Sequence, residues 1–414
     1  MESLVKVDKK IIFCFPYKKG AGGVNMMFMR LASYLSKQKY DVALVDYIDG
    51  DMAKNKDKNV DLIPYFDDNE VLIPTNSILI FQTMTPWSLY PSLKIQDSTH
   101  IFFITTLPAN FYPVLPGVLR NIMYEGGIIA KLFWSTLLLN EYKKSKKFLK
   151  FIEVKNSHAL LDLDIVCNLM KSLDTKIDNP KLLPLFSQDV EENEFLKKDI
   201  KDSNILNFGW VGRLADFKIN ILNHTMQNAF EYANSEKERI NFVVVGDGEY
   251  SDQLFAEESE YFSIAKISYV KPSELNHFML TLDMLFAMGT TALDGAKLGV
   301  PTVRLDYSYS QIPKNYKYKF FHEVRGYSMG ERIESSCFAN GLHDFEDLIN
   351  IFNQDEKQLS ELGFDFYKSH HSIDSSSNLL LNYIQESSLR WSDLIDNNLM
   401  NSLFYDVWKK IRSK

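Results

Sequence analysis

Cysteine is scarce in this chain of 414 residues, which contains only three. Cys14, Cys167 and Cys337 lie far apart and match neither a zinc-ligand spacing nor a disulfide framework. Their positions therefore indicate neither a structural metal site nor a cross-linked secreted domain. We expect all three to be small buried apolar side chains in a reducing compartment.

Long apolar segments are also missing. No uninterrupted apolar run approaches the roughly 20 residues that a membrane-spanning helix needs. The first ten residues, MESLVKVDKK, are charged and are not followed by the apolar segment and cleavage site of a secretory signal. Together these absences lead us to expect a cytoplasmic protein.

An excess of positive charge is the third missing feature. The chain has 46 lysines and arginines against 54 aspartates and glutamates, which gives a formal net charge of -8. A general nucleic-acid-binding protein usually carries a basic surface, so we expect no nucleic-acid partner. Any anionic ligand must therefore be bound by a few local cations.

Two halves of the chain repeat the same order of elements. The first half begins with the apolar run IIFCF, a glycine-rich turn, a helical pattern and the run DVALVDY. The second begins with NILNFGWVG, a helical pattern over 219–234 and the run INFVVVGDGEY. This is the βαβ unit of a parallel sheet, and the length also favours two domains. We predict doubly wound, Rossmann-like domains at 1–185 and 204–390, joined by a proline- and charge-rich linker at 186–203.

The stretch GWVGRLADFKIN places two cations just after the first strand of the second domain. Arg213 and Lys218 follow the carboxyl end of that strand, where ligands bind in open α/β sheets. Two neighbouring cations suit a diphosphate, which forms strong charge-assisted hydrogen bonds. The alternative is that both are solvated loop cations that pair with Asp216 or other acids nearby.

Three further groups in the second half favour a ligand. Gly246 and Gly248 follow a strand and allow the backbone to approach a ligand closely. The sequence MGTTALDGAKLGVP predicts a helix that starts after Gly289, with Thr290 and Thr291 in its first turn. Exposed amides at such a helix start bind anions. Asp294 stands one turn further on, where it either contacts the ligand or forms a capping box with Thr291.

These residues carry a family resemblance. The order of GRL with a following lysine, then GDGE, then LDGAKLGVPTV resembles the GT-B nucleotide-sugar glycosyltransferases, especially the retaining family 4. The N-terminal stretch GAGGVNMMFMRLASYLSKQKYDVALV resembles the opening segment of that family. The resemblance implies two Rossmann-like domains facing a cleft. It also implies metal-independent transfer of a sugar, without a cofactor, from a nucleotide-diphosphate donor to a glycan or lipid-linked glycan in bacterial cell-surface polysaccharide synthesis.

The resemblance assigns roles to single positions. Arg213 and Lys218 match the basic pair that holds the donor diphosphate, and Gly22 and Gly23 match a loop that closes over the donor phosphate. Asp294 stands where the family usually has a glutamate that binds the donor ribose. The first domain would bind the acceptor and the second the donor. The terminal helix at 391–414 would return to the first domain.

The chain also departs from the family pattern. Phe286 occupies a position where the family usually has an acid near the transferred sugar, so sugar recognition must differ, through backbone amides around 288–290 for example. His100 and His158 match no catalytic position, and we interpret both as structural. If the reaction instead inverts configuration, it needs a general base from the first domain, for which Glu125 is one candidate.

Residues 126–151 combine apolar and aromatic side chains with a cluster of five lysines at positions 143, 144, 146, 147 and 150. Such a segment suits the surface of an anionic bilayer, and hence a lipid-linked acceptor. The alternative is a core helix followed by a solvated run of charge. Two rival functions also remain at this stage, a nucleotide-sugar epimerase on the same fold and a non-catalytic partner of a true transferase.

Overall fold

The computed structural model describes residues 7–18, 22–113, 127–187, 204–335 and 341–412. The chain divides into two compact units, one formed by residues 1–183 together with 376–414 and the other by residues 184–375. The return to the first unit comes at Ser376, earlier than the boundary at 391 that we expected. Glu125, Cys337 and most of the expected linker lie outside the described residues.

The first unit is built on a six-stranded sheet in which every pairing is parallel. Its strands run in the order β3-β2-β1-β5-β7-β8, which is the order 3-2-1-4-5-6 of the Rossmann fold when only this sheet is counted. A separate parallel pair is formed by β4 and β6. The strands are β1 (Lys10–Cys14), β2 (Val42–Asp46), β3 (Asp61–Pro64), β4 (Val71–Leu72), β5 (Ser77–Gln82), β6 (Leu93–Lys94), β7 (His100–Thr105) and β8 (His158–Leu160).

The helices before the crossing to the second unit connect these strands. They are α1 (Gly23–Lys37), α2 (Asp51–Asn55), α3 (Gly127–Ser135), α4 (Leu139–Val154) and α5 (Leu163–Ser172). All five residues of β2 are buried, as is typical of a parallel strand covered on both faces. In α1, apolar residues at helical spacing, among them Phe28, Leu31 and Leu35, are buried, which explains why this segment forms a helix on the sheet.

The second unit contains a five-stranded parallel sheet in the order β11-β10-β9-β12-β13. Its strands are β9 (Ile205–Val211), β10 (Arg239–Val245), β11 (Phe262–Ile267), β12 (Met284–Ala287) and β13 (Thr302–Arg304). Its helices are α6 (Asp216–Glu236), α7 (Pro272–Leu280), α8 (Thr290–Lys297), α9 (Phe345–Gln354) and α10 (Glu356–His370). The sheet thus has the 3-2-1-4-5 order, and its switch point lies between β9 and β12.

Three helices complete the chain, α11 (Ile373–Glu386), α12 (Trp391–Asp396) and α13 (Leu403–Arg412). The segment around α12 is tied to the first sheet, because the Ile101 amide donates to the Leu389 carbonyl at 3.0 Å and the Trp391 amide donates to the Thr99 carbonyl at 3.0 Å. Leu389 and Leu394 are fully buried in the apolar core of the first unit. The chain beyond residue 386 is therefore an integral part of this unit.

The cysteines differ from the expectation in one respect. Cys14 is a buried free thiol on β1, and burial raises its pKa well above the usual value. Cys167 on α5 is only partly buried and is disulfide-bonded, so the prediction that it is an unpaired buried thiol is wrong. Sequence spacing could not reveal this, because tertiary packing can bring cysteines together whatever their separation along the chain.

Candidate anion-binding site of the second unit

Arg213 and Lys218 lie where the chain leaves β9 and enters α6. Arg213 is exposed in the connecting loop, and Lys218 is half-buried in the first turn of the helix. In the described part of the chain neither forms an ion pair. Asp216, which we considered as a partner, instead accepts the Phe217 amide at 2.8 Å. The two cations therefore remain available to an external anion.

The environment of Lys218 works against its charge. Burial lowers the pKa of its ammonium group, and repulsion from Arg213 lowers the pKa further. Its Nζ lies 5.6 Å from the ring centroid of Phe217 and 5.8 Å from that of Trp210, so two aromatic faces offset part of this penalty. An anion placed near both cations would remove the repulsion, which is the electrostatic signature of a binding site.

Gly246 and Gly248 support the loop that carries Arg213. A Cβ on Gly246 would lie 2.0 Å from the Gly212 carbonyl oxygen, and one on Gly248 would lie 2.2 Å from that of Leu214. The Gly212 amide donates to Val245 and the Leu214 amide donates to Asp247, at 2.9 and 3.0 Å. Close approach is thus required as predicted, but the partner in the structure is the loop at 212–214 rather than a ligand.

The start of α8 lies after β12, the strand next to β9. Because the two strands are parallel and pair through Met284 with Phe208, their carboxyl ends open on the same edge of the sheet. Gly289 precedes the helix with a positive φ of 66°, which disfavours any other residue, and its amide donates to the Met329 carbonyl at 2.7 Å. In the described residues no acceptor is bonded to the amides of Thr290 or Thr291, which leaves both free for an anion.

Asp294 does not form the capping box considered above. Its carboxylate pairs with Lys297 one turn later, with 2.9 Å between Oδ1 and Nζ, and the side chain is partly exposed. In the described residues no side chain caps the helix start. Asp294 therefore has a partly exposed carboxylate one turn after that start.

Phe286 is part of the core. The residue lies in β12 with no exposed surface, and its ring packs against Phe242 and Phe345 with centroids 5.9 Å away in both cases. An acid could not be accommodated in this apolar cluster without a large desolvation penalty. Position 286 lies in a strand, and its side chain packs in this apolar core. The packing thus explains why the chain has phenylalanine and not an acid there.

A buried ionic cluster, not anticipated from the sequence, holds the segment that contacts Gly289. Arg304 at the end of β13 pairs with Asp306 and, at 3.7 Å, with Glu331, and all three side chains are buried. The Glu331 amide also donates to Asp306 at 2.9 Å. The cluster fixes residues 329–331, and through the Met329 carbonyl it fixes the backbone before α8. The alternating pattern VRLD at 303–306 was the only sequence signal for it.

Gly22 and Gly23 of the first unit lie at the start of α1, after the carboxyl end of β1. Gly22 is the N-cap of the helix, and no atom lies within 4 Å of the position of a Cβ on Gly23. Asn25 in the first turn was not predicted as a site residue from the sequence. It is fully buried, and in the described part of the chain its side-chain oxygen and nitrogen have no hydrogen-bond partner. The buried amide of Asn25 thus keeps hydrogen-bonding capacity for a water or a ligand beside the helix start.

The two histidines of the first unit have structural surroundings. His100 begins β7, as we expected, and forms an isolated bridge with Arg390. His158 is buried on β8, where its Nε2 is hydrogen-bonded to the Thr105 hydroxyl, and burial lowers its pKa to about 3. Both observations agree with our interpretation of these residues as structural. Glu125 lies outside the described residues.

The lysines of segment 126–151 are mostly engaged within the first unit. Four of them donate to backbone carbonyl groups of neighbouring segments: Lys144 to Asn401, Lys146 to Asp174, Lys147 to Asn397 and Lys150 to Lys176. Apolar side chains on α3 are more exposed than the core-helix alternative predicts, including Ile129 and Leu132. These lysines therefore hold α4 against its neighbours, while several apolar side chains of α3 are exposed.

Two kinds of feature are absent from the described residues. Among them, no three histidine, cysteine, aspartate or glutamate side chains converge in a way that could hold a metal ion. None of the helices in the described ranges combines the length and the apolar content required to cross a bilayer.

Comparison with known proteins leaves the fold as the firm result. No family model matches the sequence, and no curated protein sequence matches it significantly. The structure is similar to the crystal structure of a glycosyltransferase from Rickettsia africae ESF-5, with a TM-score of 0.51 and 12% sequence identity. That match covers 91% of this chain and 98% of the other. The chain has a GT-B fold.

A second solved structure gives a lower score. The lipopolysaccharide outer core galactosyltransferase WaaB gives a TM-score of 0.48 at 11% identity, covering 91% of this chain and 99% of that one. The prediction of two Rossmann-like α/β units is confirmed. At this level of identity the comparisons show the fold alone, and the site residues stay predictions.

Proposed function

We propose that this GT-B chain is a glycosyltransferase that transfers a sugar from a nucleotide-diphosphate donor to a glycan or lipid-linked glycan acceptor. One observation carries the proposal. Among the described residues Arg213 and Lys218 have no ionic partner, and they lie at the sheet edge where the amides of Thr290 and Thr291 also lie without an acceptor. Two cations and a helix start around one switch point form a site for a diphosphate.

In the proposed mechanism these groups bind the diphosphate and stabilise it as a leaving group. The bond between the anomeric carbon and a phosphate oxygen breaks, and a bond to the acceptor oxygen forms. The acceptor proton passes to the departing phosphate, so the sugar is transferred with retention and without a metal. Arg213 and Lys218 act most strongly as negative charge grows on the leaving group.

Three further roles belong to the proposal. Asp294 accepts hydrogen bonds from the donor ribose, with Lys297 holding its carboxylate at 2.9 Å. Backbone groups between Met288 and Thr290 recognise the sugar, because the chain has no acid at position 286. Gly22 and Gly23 are assigned to the donor phosphate as well, and the cytoplasmic location is inferred from the sequence alone.

The binding step is tested by thermal shift with a panel of nucleoside diphosphates and nucleotide sugars, because a specific ligand raises the melting temperature by mass action. Arg213→Ala and Lys218→Ala should each weaken binding of the best ligand by about 10- to 100-fold, as expected for a lost charge-assisted hydrogen bond. The matched control is Arg239→Ala. Arg239 is also exposed but begins β10, at the opposite edge of the sheet.

Turnover separates the rival functions. Acceptor-dependent release of nucleoside diphosphate would support a transferase, whereas a change in the bound sugar without an acceptor would identify an epimerase. Nucleotide-sugar binding that is equally weak in the wild type and in both variants, with no turnover in any of them, would favour a non-catalytic partner. A panel without any ligand that shifts the melting temperature would contradict the proposal.

The proposal includes contact of the first unit with a membrane surface that carries the acceptor. Two helices expose apolar side chains here, and they adjoin because Phe404 of α13 packs against the cluster of Trp134 and Leu138. The exposed residues are Ile129, Leu132 and Leu137 in and after α3, and Leu403, Val407 and Ile411 on one face of α13. Exposed Lys409 and Lys410 on α13 add the positive charge that favours anionic lipid.

Flotation with liposomes that contain anionic phospholipid tests this contact. The double variant Leu403→Glu/Ile411→Glu should lose binding, because it places two charges in the apolar face of α13. The double variant Leu72→Glu/Val154→Glu replaces two equally exposed apolar residues of the first unit and should still float. Absence of wild-type binding at low salt would rule out the contact.

A further inference from the structure

A polar cavity lies along one side of α6 and belongs entirely to the second unit. Its volume is about 630 Å³, and it is bounded by the helix, by Phe255 and by the segment 311–314. We call it the amide groove, because Asn220, Asn223, Gln227, Asn228 and Gln311 line it. This volume lies within the range of about 300–1,000 Å³ typical of small-ligand sites.

The amide groove is separate from the anion-binding site. Neither Arg213 nor Lys218 lines it. Asn220 follows Lys218 by two positions, which corresponds to a rotation of about 200° around the helix axis. The two side chains therefore leave α6 on opposite sides, and the groove needs an explanation of its own.

The asparagines of the groove are held in place by hydrogen bonds. Asn220 Nδ2 donates to the Ser308 carbonyl at 3.2 Å, and Asn228 Nδ2 donates to the Tyr318 hydroxyl at 2.8 Å. In the described residues no hydrogen bond uses Oδ1 of either side chain. Each asparagine thus presents a fixed acceptor toward the groove, which lowers the entropy cost of binding a ligand.

The segment that closes the groove is also anchored. Glu334 accepts hydrogen bonds from the hydroxyls of Ser308 and Ser310, and the Ser308 amide donates to the Phe217 carbonyl at 3.2 Å. The burial of Glu334 would raise its pKa, but these bonds outweigh burial and lower the pKa to about 2. The chain just before residues 311–314 is therefore fastened both to α6 and to a stable carboxylate.

The charge and chemistry of the groove narrow the ligand class. Glu231 and Lys314 contribute one charge of each sign, so the lining has no excess cation for a phosphate or a nucleic acid. Amide side chains both donate and accept hydrogen bonds, as sugar hydroxyls do. Phe255 and Ile312 supply the apolar contact that the C–H face of a sugar ring requires. A lipid would need a predominantly apolar lining instead.

We propose that the amide groove is a binding site for neutral oligosaccharides, separate from the diphosphate contacts at Arg213 and Lys218. Through the groove the second unit binds a glycan chain, and this binding does not depend on the donor. Its existence does not rest on the proposed transferase activity, and binding to it can be measured without turnover.

Saturation-transfer NMR on the full chain tests the site with four neutral probes, maltohexaose, cellohexaose, chitohexaose and mannohexaose. We expect at least one probe to bind, and to bind equally well in the presence of saturating UDP. The double variant Gln227→Ala/Gln311→Ala removes two exposed side chains of the groove and should weaken binding by on the order of tenfold. Gln358→Ala, an exposed glutamine of α10 outside the groove, should leave binding unchanged.

Three results would overturn the proposal. The first is no saturation transfer to any of the four probes at about 1 mM, the weak end of specific affinity. The second is binding that UDP abolishes, which would place the sugar in the donor site. The third is binding that the double variant and the Gln358→Ala control affect equally. Because UDP binding is measured separately, failure of the groove and failure of the proposed donor site are distinguishable.

Discussion

Lys218 is a residue whose charge lowers the stability of the folded chain and for which we propose a binding role. Its pKa is lowered first by burial and then by the like charge of Arg213. A lysine whose folded pKa lies below its unfolded value penalises the folded state at every pH where the group is protonated. The penalty disappears only as the pH rises above the unfolded value of 10.5. At neutral pH the charge of Lys218 therefore destabilises the folded chain.

Replacing Lys218 by methionine should separate these two effects. We expect Lys218→Met to raise the free energy of unfolding by about 0.5–1 kcal/mol in the absence of ligand, because the buried charge is removed. The same variant should bind inorganic pyrophosphate or UDP about tenfold more weakly. Urea denaturation and titration calorimetry measure the two quantities. Lys357→Met, which removes an exposed lysine of α10, should change neither, and a destabilised Lys218→Met would contradict this account.

His158 gives a pH-dependent prediction. Its pKa of about 3 lies far below the ordinary 6.5, so the unfolded chain takes up a proton on this imidazole that the folded chain does not. The buried neutral imidazole contributes fully to the free energy of unfolding above pH 6.5, and this contribution is lost as the pH falls from 6.5 to 3. The slope is up to about 1.4 kcal/mol per pH unit.

The variant His158→Gln should reduce that slope, although its own lost packing lowers stability at all pH values. Urea denaturation of the first unit at several pH values between 6.5 and 4.5 measures the difference. His277→Gln replaces an exposed histidine and serves as the control. Parallel pH profiles for the wild type and His158→Gln would mean that the imidazole is not buried in the way the structure describes.

The sequence could predict some site residues and not others. The position of Arg213 and Lys218 was predictable because the apolar run before them marks the end of a buried strand; their binding role stays a prediction. The sequence shows an apolar residue at position 286, but its packing could not be predicted because it depends on Phe345, which is distant in sequence. Asn25 gave no signal, because an asparagine in a helix is ordinary until its burial is known.

At the scale of elements, the glycine turns were predicted and their partners were not. Glycine at positions 246 and 248 indicated a close backbone approach. Only the parallel pairing of β9 with β10 shows that the approaching group is the loop at 212–214. A sequence contains the requirement for space, but the neighbour that fills the space comes from a strand remote in sequence. The same reason explains why the support of Gly289 by residue 329 was missed.

Gly246→Ala tests whether the glycine turn after β10 positions the loop after β9. The φ of Gly246 is 142°, and a Cβ would lie 2.0 Å from the Gly212 oxygen. We expect a loss of at least about 2 kcal/mol in the free energy of unfolding and displacement of the loop that carries Arg213. Diphosphate binding should weaken even where the variant remains folded.

The matched control for this variant is Gly363→Ala. Gly363 lies within α10, and no atom lies within 4 Å of the position of its Cβ, so alanine should stabilise the protein by about 0.5–1 kcal/mol. Denaturant titration compares the two variants, and UDP titration follows binding. Unchanged binding in a folded but destabilised Gly246→Ala would show that the glycine turn does not position the cations.

At the scale of the whole molecule, the repeated βαβ pattern predicted two units. The unit boundary within the last third of the chain was harder to predict. The division falls between residues 375 and 376, inside α11, which continues through the boundary without a proline or glycine. Breaks in composition mark linkers, and an uninterrupted helix has none. The return of the terminal segment was implied by family resemblance, whereas its early start depends on packing.

Substitution of one core leucine in each unit tests this division. Leu389 is fully buried in the core of the first unit, although it follows all of the second unit in sequence. Leu348 on α9 is fully buried in the core of the second. Each alanine variant should lose about 2–5 kcal/mol, and hydrogen exchange should locate the loss. We expect Leu389→Ala to accelerate exchange in β1, β5 and β7, and Leu348→Ala to accelerate exchange in β9, β10 and β12. If Leu389→Ala instead accelerated exchange in the strands of the second unit, the assignment of the terminal segment to the core of the first unit would be wrong.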